Sequence, residues 1–379
     1  MRQSMLVWAV ALTSLATFLA APSSAGVSGS ASMSPILIVQ AGNSNTLYVL
    51  WGTPTCRRRS CLRIERTVNG GQSFTAVSVP AVSMVRGMNV APLGQLFFAN
   101  PLDGYALQET NTGTKWSTNE LFETIDGGKT WRIDHIAPHV AIYQLATSQR
   151  YTFAVTAQCT AKGRCSDERL YRSKVASLNW THLANPPVLS KYWGGNISVA
   201  AYGSNLWLTT QEQNAAPFSP FVAISHNRGQ SFVVKVQPAL SSVASCGLSP
   251  TSAMRLWAVS GQGMFRGDIA QSLDGGLTWQ MATTGPLSNL GFGAFESLGH
   301  SGAVFNNQLQ GNRLFRVSSE FSHPQHVANL PTKNYWFSLD FTNAKQGLAL
   351  SQGPGGSFPF QLWSTSDGGM HWLKVKAPQ

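Results

Sequence analysis

The chain has 379 residues, of which only 11% are charged, beside 35 glycines and 12 tryptophans. That mix excludes a charge-rich helical assembly and a disordered polymer, and it suits an all-β repeat protein. The formal net charge of +11 draws such a protein toward anionic partners (acidic glycans, wall polymers, lipid headgroups) without naming one.

The amino terminus reads as an export signal. Arg2 gives a positive start, Met5 to Ala21 form an apolar run, and Ser23-Ser24-Ala25 supplies the small residues of a cleavage site. Cleavage is expected after Ala25, so that 1–25 is the signal and 26–32 a flexible leader. The competing reading is an uncleaved anchor, for which the run sits at the low end of spanning length. No Cys precedes Cys56, which argues against a lipoprotein anchor, and no later stretch is long and apolar enough to cross a bilayer. The expected destination is secreted, periplasmic or cell-envelope.

From residue 33 one eight-residue pattern recurs. Thr67 to Phe74 reads TVNGGQSF, Thr124 to Trp131 TIDGGKTW, Ser225 to Phe232 SHNRGQSF, Ser272 to Trp279 SLDGGLTW and Thr365 to Trp372 TSDGGMHW. The Asp or Asn accepts hydrogen bonds from backbone N–H groups just after it, closing a tight turn. The Gly takes a backbone conformation that a Cβ disfavours, and the final aromatic opens the next strand. A Pro follows six or seven residues after each aromatic, at Pro80, Pro138, Pro238, Pro286 and Pro378. Trp180 precedes Pro187 at the same spacing, and a further degenerate unit lies between Leu314 and Pro331. Seven units result, bounded roughly at 33–79, 80–137, 138–186, 187–237, 238–285, 286–330 and 331–379. Second strands are expected at Gln95–Ala99, Tyr151–Ala157, Asn205–Thr210, Met254–Ser260 and Gly347–Ser351. Third strands such as Leu121–Thr124 and Gln361–Ser364 lead into the turns, and fourth strands such as Thr130–His135 and His371–Lys376 follow them. Four-stranded units without helices close best as a ring, so the fold class is an all-β, seven-bladed β-propeller over 33–379. The last unit completes its own fourth strand, which predicts no shared closing blade.

The repeat resembles the Asp-box, or bacterial neuraminidase repeat, carried by sialidase-like and photosystem II assembly-factor-like propellers. The resemblance implies a fold and leaves the activity open. Sialidases use an early Arg-Ile-Pro motif, two further arginines, a Tyr–Glu pair and an Asp. Here the nearest early match is Arg63-Ile64-Glu65, and no arginine triad follows by motif. Another glycosidase needs two facing carboxylates; Asp103, Glu109, Asp167, Glu212 and Asp268 are expected in or near the second-to-third-strand loops, unpaired. The box aspartates Asp126, Asp274 and Asp367 repeat around the ring and are read as turn chemistry, so no catalytic residue is assigned.

Cys56 and Cys61 bracket Arg57-Arg58-Arg59-Ser60, and Cys159 and Cys165 bracket a loop holding Lys162 and Arg164. Export favours the local disulfides Cys56–Cys61 and Cys159–Cys165, with Cys246 a small buried hydrophobe. The spacings are not those of a zinc site, and His323 and His326 lie in a Pro-containing segment, so no metal and no cofactor is expected. Tyr192 and Trp193 match Tyr335 and Trp336 in place, a few residues after a unit-starting Pro. Their competing role is packing between blades. The binding face is expected to combine Arg57, Arg58, Arg59, Lys162 and Arg164 with Tyr192, Trp193, Tyr335 and Trp336, on the rim opposite the boxes. The function expected is a non-catalytic binding scaffold for an anionic polymer, glycan or protein partner, in the manner the assembly-factor resemblance implies. No nucleic-acid partner is expected, and the chain is expected to be a monomer without an integral span once the signal is removed. The alternative is a sialidase-like or other glycoside hydrolase acting on extracellular glycans.

Overall fold

Short β-branched and aromatic runs between Gly, Asn, Asp and Ser turns form strands throughout the chain. The computed structural model describes residues 33–378 apart from 43, 54–60, 83–92, 94, 109–119, 138–139, 160–164, 184–196, 211–220, 238–245, 261–268, 282–291, 308–312, 319–323, 333–335 and 353–358. The expected signal and leader lie outside the described residues.

Blade 1 contains β1 (Ser34–Gln40), β2 (Leu47–Gly52), β3 (Leu62–Thr67) and β4 (Thr75–Val77). Blade 2 contains β5 (Gln95–Phe98), β6 (Gly104–Gln108), β7 (Glu120–Thr124) and β8 (Arg132–Asp134). Blade 3 contains β9 (Val140–Thr147), β10 (Tyr151–Cys159), β11 (Cys165–Lys174) and β12 (Thr181–His182). Blade 4 contains β13 (Ile197–Tyr202), β14 (Asn205–Thr210), β15 (Phe221–Ser225) and β16 (Val233–Val236). Blade 5 contains β17 (Cys246–Pro250), β18 (Leu256–Ser260), β19 (Ile269–Ser272) and β20 (Gln280–Met281). Blade 6 contains β21 (Phe292–Ser297), β22 (Ala303–Asn307), β23 (Arg313–Val317) and β24 (Gln325–Asn329). Blade 7 contains β25 (Trp336–Phe341), β26 (Gly347–Ser351), β27 (Gln361–Thr365) and β28 (Leu373–Lys374).

Each blade is one antiparallel meander whose four strands pair in chain order. The two units with eroded turns, blades 3 and 6, form complete sheets like the rest. The inner strands β1, β5, β9, β13, β17, β21 and β25 touch in cyclic order, and β25 returns to β1. Among the described residues, no strand is shared at the closure. There Ser34 Oγ accepts from Phe360 N–H at 2.7 Å and lies 3.2 Å from the Phe360 carbonyl. Ile38, Leu47, Val49 and Trp51 pack on Leu348, Leu350 and Leu362 across the seam. Closure therefore rests on buried apolar side chains between blades, and every other seam carries a core of the same kind.

One strand assignment needs correction. Gln95–Phe98 is the first strand of blade 2, and the second is Gly104–Gln108. The long separation between Pro80 and β5 is not repeated at the same length in the other units, so counting from the Pro misplaces the strand. Asp103 consequently sits in the first-to-second hairpin, on the rim that carries the recurrent turns.

Candidate functional site

The recurrent turns are built alike. In blade 2, Asp126 Oδ1 accepts from Thr130 N–H at 2.9 Å and from the Thr124 hydroxyl at 2.9 Å, while Oδ2 accepts from the Thr130 hydroxyl at 2.6 Å. Thr124 Oγ1 also accepts from Gly128 N–H at 2.9 Å. Asp274 repeats this set with Ser272 and Thr278, and Asp367 with Thr365 and His371. Asn69 and Asn227 make the Oδ1 bonds with neutral side chains, while their Nδ2 groups donate to the Ser73 and Ser231 hydroxyls at 2.9 and 2.8 Å. Gly128 has φ +83°, and a Cβ there would stand 3.1 Å from Val77 of blade 1, so the turn also meets the preceding blade closely. Backbone bonds from Gly127 to Leu102, Gly275 to Met254 and Gly368 to Lys345 tie each turn to its own blade's first hairpin. These hairpins and turns share one rim, the turn face.

Slight burial pushes the Asp126, Asp274 and Asp367 carboxyls up, but the hydroxyl and N–H donors together outweigh it and hold all three below the usual range, Asp367 at about 2. A depressed carboxyl stabilises the fold above its unfolded pKa, and that stabilisation is lost as pH falls through the folded value. Asp274→Ala is expected to cost about 1 kcal/mol, the usual scale for a capping-type bond. Chemical denaturation should register that loss while partner binding by the folded variant stays unchanged.

Of the residues expected to form the binding face, Arg57, Arg58, Arg59, Lys162, Arg164, Tyr192, Trp193 and Tyr335 lie outside the described residues. Trp336 is described, and it is fully buried. Its ring stacks on Trp363 at 5.9 Å, meets Trp372 edge-on at 5.2 Å, and donates Nε1–H to Thr332 Oγ1 at 3.1 Å. Trp336 is thus corrected from a surface contact to a core residue, because blade 6 covers the start of β25. Cys159 and Cys165 face each other in register across β10 and β11. Cys61 is disulfide-bonded. Glu168 sits in β11, and burial pushes its carboxyl up to about 7.

A different surface emerges on the turn face of blades 2 to 4. Arg172 and Arg228 hold their guanidinium carbons 5.4 and 5.3 Å from the centroid of the Tyr151 ring. Arg172 Nη1 donates to the Arg228 carbonyl at 3.0 Å. Beside them, a shallow cavity of about 360 Å³ is lined by Asn100, Asp103, Gln149, Arg150, Tyr151, Lys174 and Val175. Arg150, Lys174 and Arg228 are exposed and Arg172 partly so. None of the four cations forms an ion pair among the described residues.

The repeat explains why they are uncompensated. Blade 3's degenerate turn, Ser173 to Trp180, has Val175 where blades 2, 5 and 7 have Asp, and blade 4 has the neutral Asn227. Among the described residues, Asp103 supplies the one carboxylate in the cavity lining, and its Oδ2 accepts from Asn100 Nδ2 at 2.6 Å. The framework is firm: Val175 N–H donates to the Arg150 carbonyl, Arg228 N–H to the Ser204 carbonyl, and Ser148 Oγ to the Gly203 carbonyl. Arg228 stands at φ +64° where four other turns place Gly, and Ala176 holds the matching position of blade 3 at φ +64°. A left-handed residue with a Cβ costs about 1 kcal/mol. The signal for this surface was present in the sequence as the missing turn acid and the Arg in a Gly position.

A second group lies on the inner strands. Glu296 of β21 and Asp340 of β25 are partly exposed, and protein surrounds both closely enough that desolvation raises both carboxyls. The Asp340 charge pushes Glu296 higher still. Gln40 N–H and Ser338 Oγ, the latter 3.5 Å from Oδ2, pull Asp340 partly back. A raised carboxyl stabilises the fold fully below its unfolded pKa and less as pH climbs toward the folded value. Asp340→Asn is therefore expected to match wild type near pH 4 and to melt higher as pH rises to 8, as a series of thermal melts across that range would read. Among the described residues, no three His, Cys, Asp or Glu side chains are grouped to hold a metal ion, and no helix is long and apolar enough to cross a membrane.

No family model and no curated protein matches the chain. Solved structures do. YCF48 from Cyanidioschyzon merolae aligns with a TM-score of 0.50 at 15% identity, covering 75% of this chain and 86% of that one. YCF48 bound to D1 peptide aligns equally well, covering 75% and 81%. The β-propeller domain of the Trilobed protease from Pyrococcus furiosus, which has an open velcro topology, reaches 0.57 at 7% identity over 91% and 96%. Identities this low establish shared fold and nothing finer: the chain is a seven-bladed β-propeller similar in architecture to these proteins.

Proposed function

We propose that this propeller is an exported, non-catalytic scaffold that binds an anionic partner through the turn face of blades 2 to 4. The observation that carries the reading is the gathering of Arg150 and Lys174 at one cavity beside Tyr151, with Arg172 and Arg228 on the Tyr151 ring and none of the four in an ion pair among the described residues. Unpaired cations on a firm rim attract and orient anions at little ordering cost. YCF48, a fold neighbour, is bound to D1 peptide in one structure, which supports a partner-binding role for a propeller of this shape. The five hydrogen-bonded turns support a place among Asp-box propellers, where the aspartates serve the fold. Export rests on the signal-like segment 1–25. The pairings Cys56–Cys61 and Cys159–Cys165 belong to the same reading, and mass spectrometry of a non-reduced digest tests them; a bridge to Cys246 overturns them.

The deciding experiment is an array of anionic polymers and acidic peptides probed with the mature chain between 0.1 and 1 M salt. Screening falls from about 10 Å to about 3 Å over that range, so binding should weaken steeply. Changing all four cations to Ser should abolish most of it. Binding that survives this change but is lost on replacing Arg57, Arg58 and Arg59 with Ser assigns the partner to the opposite rim, with Lys162, Arg164, Tyr192 and Trp193.

A glycoside hydrolase is the second reading, favoured by the proximity of the Glu296 and Asp340 carboxyls. Turnover in a fluorogenic glycoside panel, lost in Glu296→Gln, would establish it.

A further inference from the structure

The chemistry of the cavity narrows the partner beyond its charge. Its lining is polar apart from Val175 and the face of Tyr151. Peptide grooves take their affinity from apolar anchors seated in pockets, and no such pocket is lined here. The carboxylate of Asp103 stands in the same cavity as Arg150 and Lys174. Asn100 holds Asp103 in place: its Oδ1 accepts from the Leu102 and Asp103 N–H groups at 2.9 and 3.0 Å, and its Nδ2 donates one hydrogen to Asp103 Oδ2 at 2.6 Å. The Asp103 carboxylate has acceptor sites beyond that one bond, which ligand hydroxyls can fill. A ligand that is anionic throughout would be repelled there. One that sets hydroxyl donors beside each anionic group satisfies both halves of the cavity.

The cations also fall in two pairs. Arg150 and Lys174 lie on the cavity between blades 2 and 3, while Arg172 and Arg228 lie beside Tyr151 toward blade 4. Two successive anionic groups on one extended ligand match that arrangement. We infer that the turn face of blades 2 to 4 is a subsite for an acidic oligosaccharide, with sugar carboxylates at the two cation pairs and sugar hydroxyls at Asp103 and Gln149. This rests on the anionic-partner reading and specifies its ligand class. Arg228 then has a reason to occupy a position that Gly fills more easily: strain is tolerated where it aims a functional group.

Titration calorimetry of the mature chain with tetragalacturonate, its carboxyl-reduced counterpart and octaglutamate tests the inference. Tetragalacturonate should bind, and the reduced tetramer should bind at least tenfold more weakly. The Arg150→Ser, Lys174→Ser double variant should lose at least tenfold in tetragalacturonate affinity. Arg228→Gly should weaken binding while the melting temperature holds or rises, which a purely structural arginine would not do. Asp103→Ala should weaken tetragalacturonate and strengthen octaglutamate. Should octaglutamate bind while tetragalacturonate does not, or Asp103→Ala strengthen both, the sugar assignment falls and the anionic reading stands. Should neither polyanion bind with salt sensitivity, both fall.

Discussion

Trp336→Ala is expected to lower unfolding free energy by roughly 3–5 kcal/mol, the range for truncating a buried tryptophan. The indole is fully buried, packs on Trp363 and Trp372, and belongs to a core shared with Leu314 and Val304 of blade 6. Truncation opens a void at the seam between blades 6 and 7, which is held by packing of this apolar core. Trp336→Phe should recover much of the loss. Denaturant unfolding monitored by tryptophan fluorescence measures both. A surface-binding Trp336 would give the opposite pattern, with unchanged stability and lost ligand.

Gly302→Ala is expected to cost about 3 kcal/mol or more, combining left-handed strain with forced displacement of backbone. Gly302 has φ +105° and ψ −138°, a region closed to residues with a Cβ. An added Cβ would overlap the Val317 carbonyl oxygen and stand 2.9 Å from the Ser318 carbonyl carbon, and neither can rotate away. Gly299 in the same hairpin is the control. It also has positive φ, at +63°, but nothing lies within 4 Å of its would-be Cβ. Gly299→Ala should then cost only about 1 kcal/mol. Equal melting temperatures for the two variants would refute the steric account of Gly302.

The turns and the ring were legible in the sequence because their chemistry is local. Thr124, Asp126, Gly128 and Thr130 bond to one another within seven residues, so the pattern that spells the turn also contains every partner it needs. Blade count followed from the repeat of that turn and its trailing Pro, even in blades 3 and 6 where the turn is eroded. The direction of Trp336 was not legible, since only the neighbouring blade decides whether the start of β25 is covered. Nor was the strand order of blade 2, which moved Asp103 to the turn face. The cationic surface needed tertiary structure most of all. Arg172 and Arg228 come from different blades, and they meet at Tyr151 because blade 3 packs against blade 4 at a firm seam. The sequence by itself determined that blade 3 would lack its turn acid; packing of apolar faces between successive sheets decided which cations would gather in the space that acid left uncompensated.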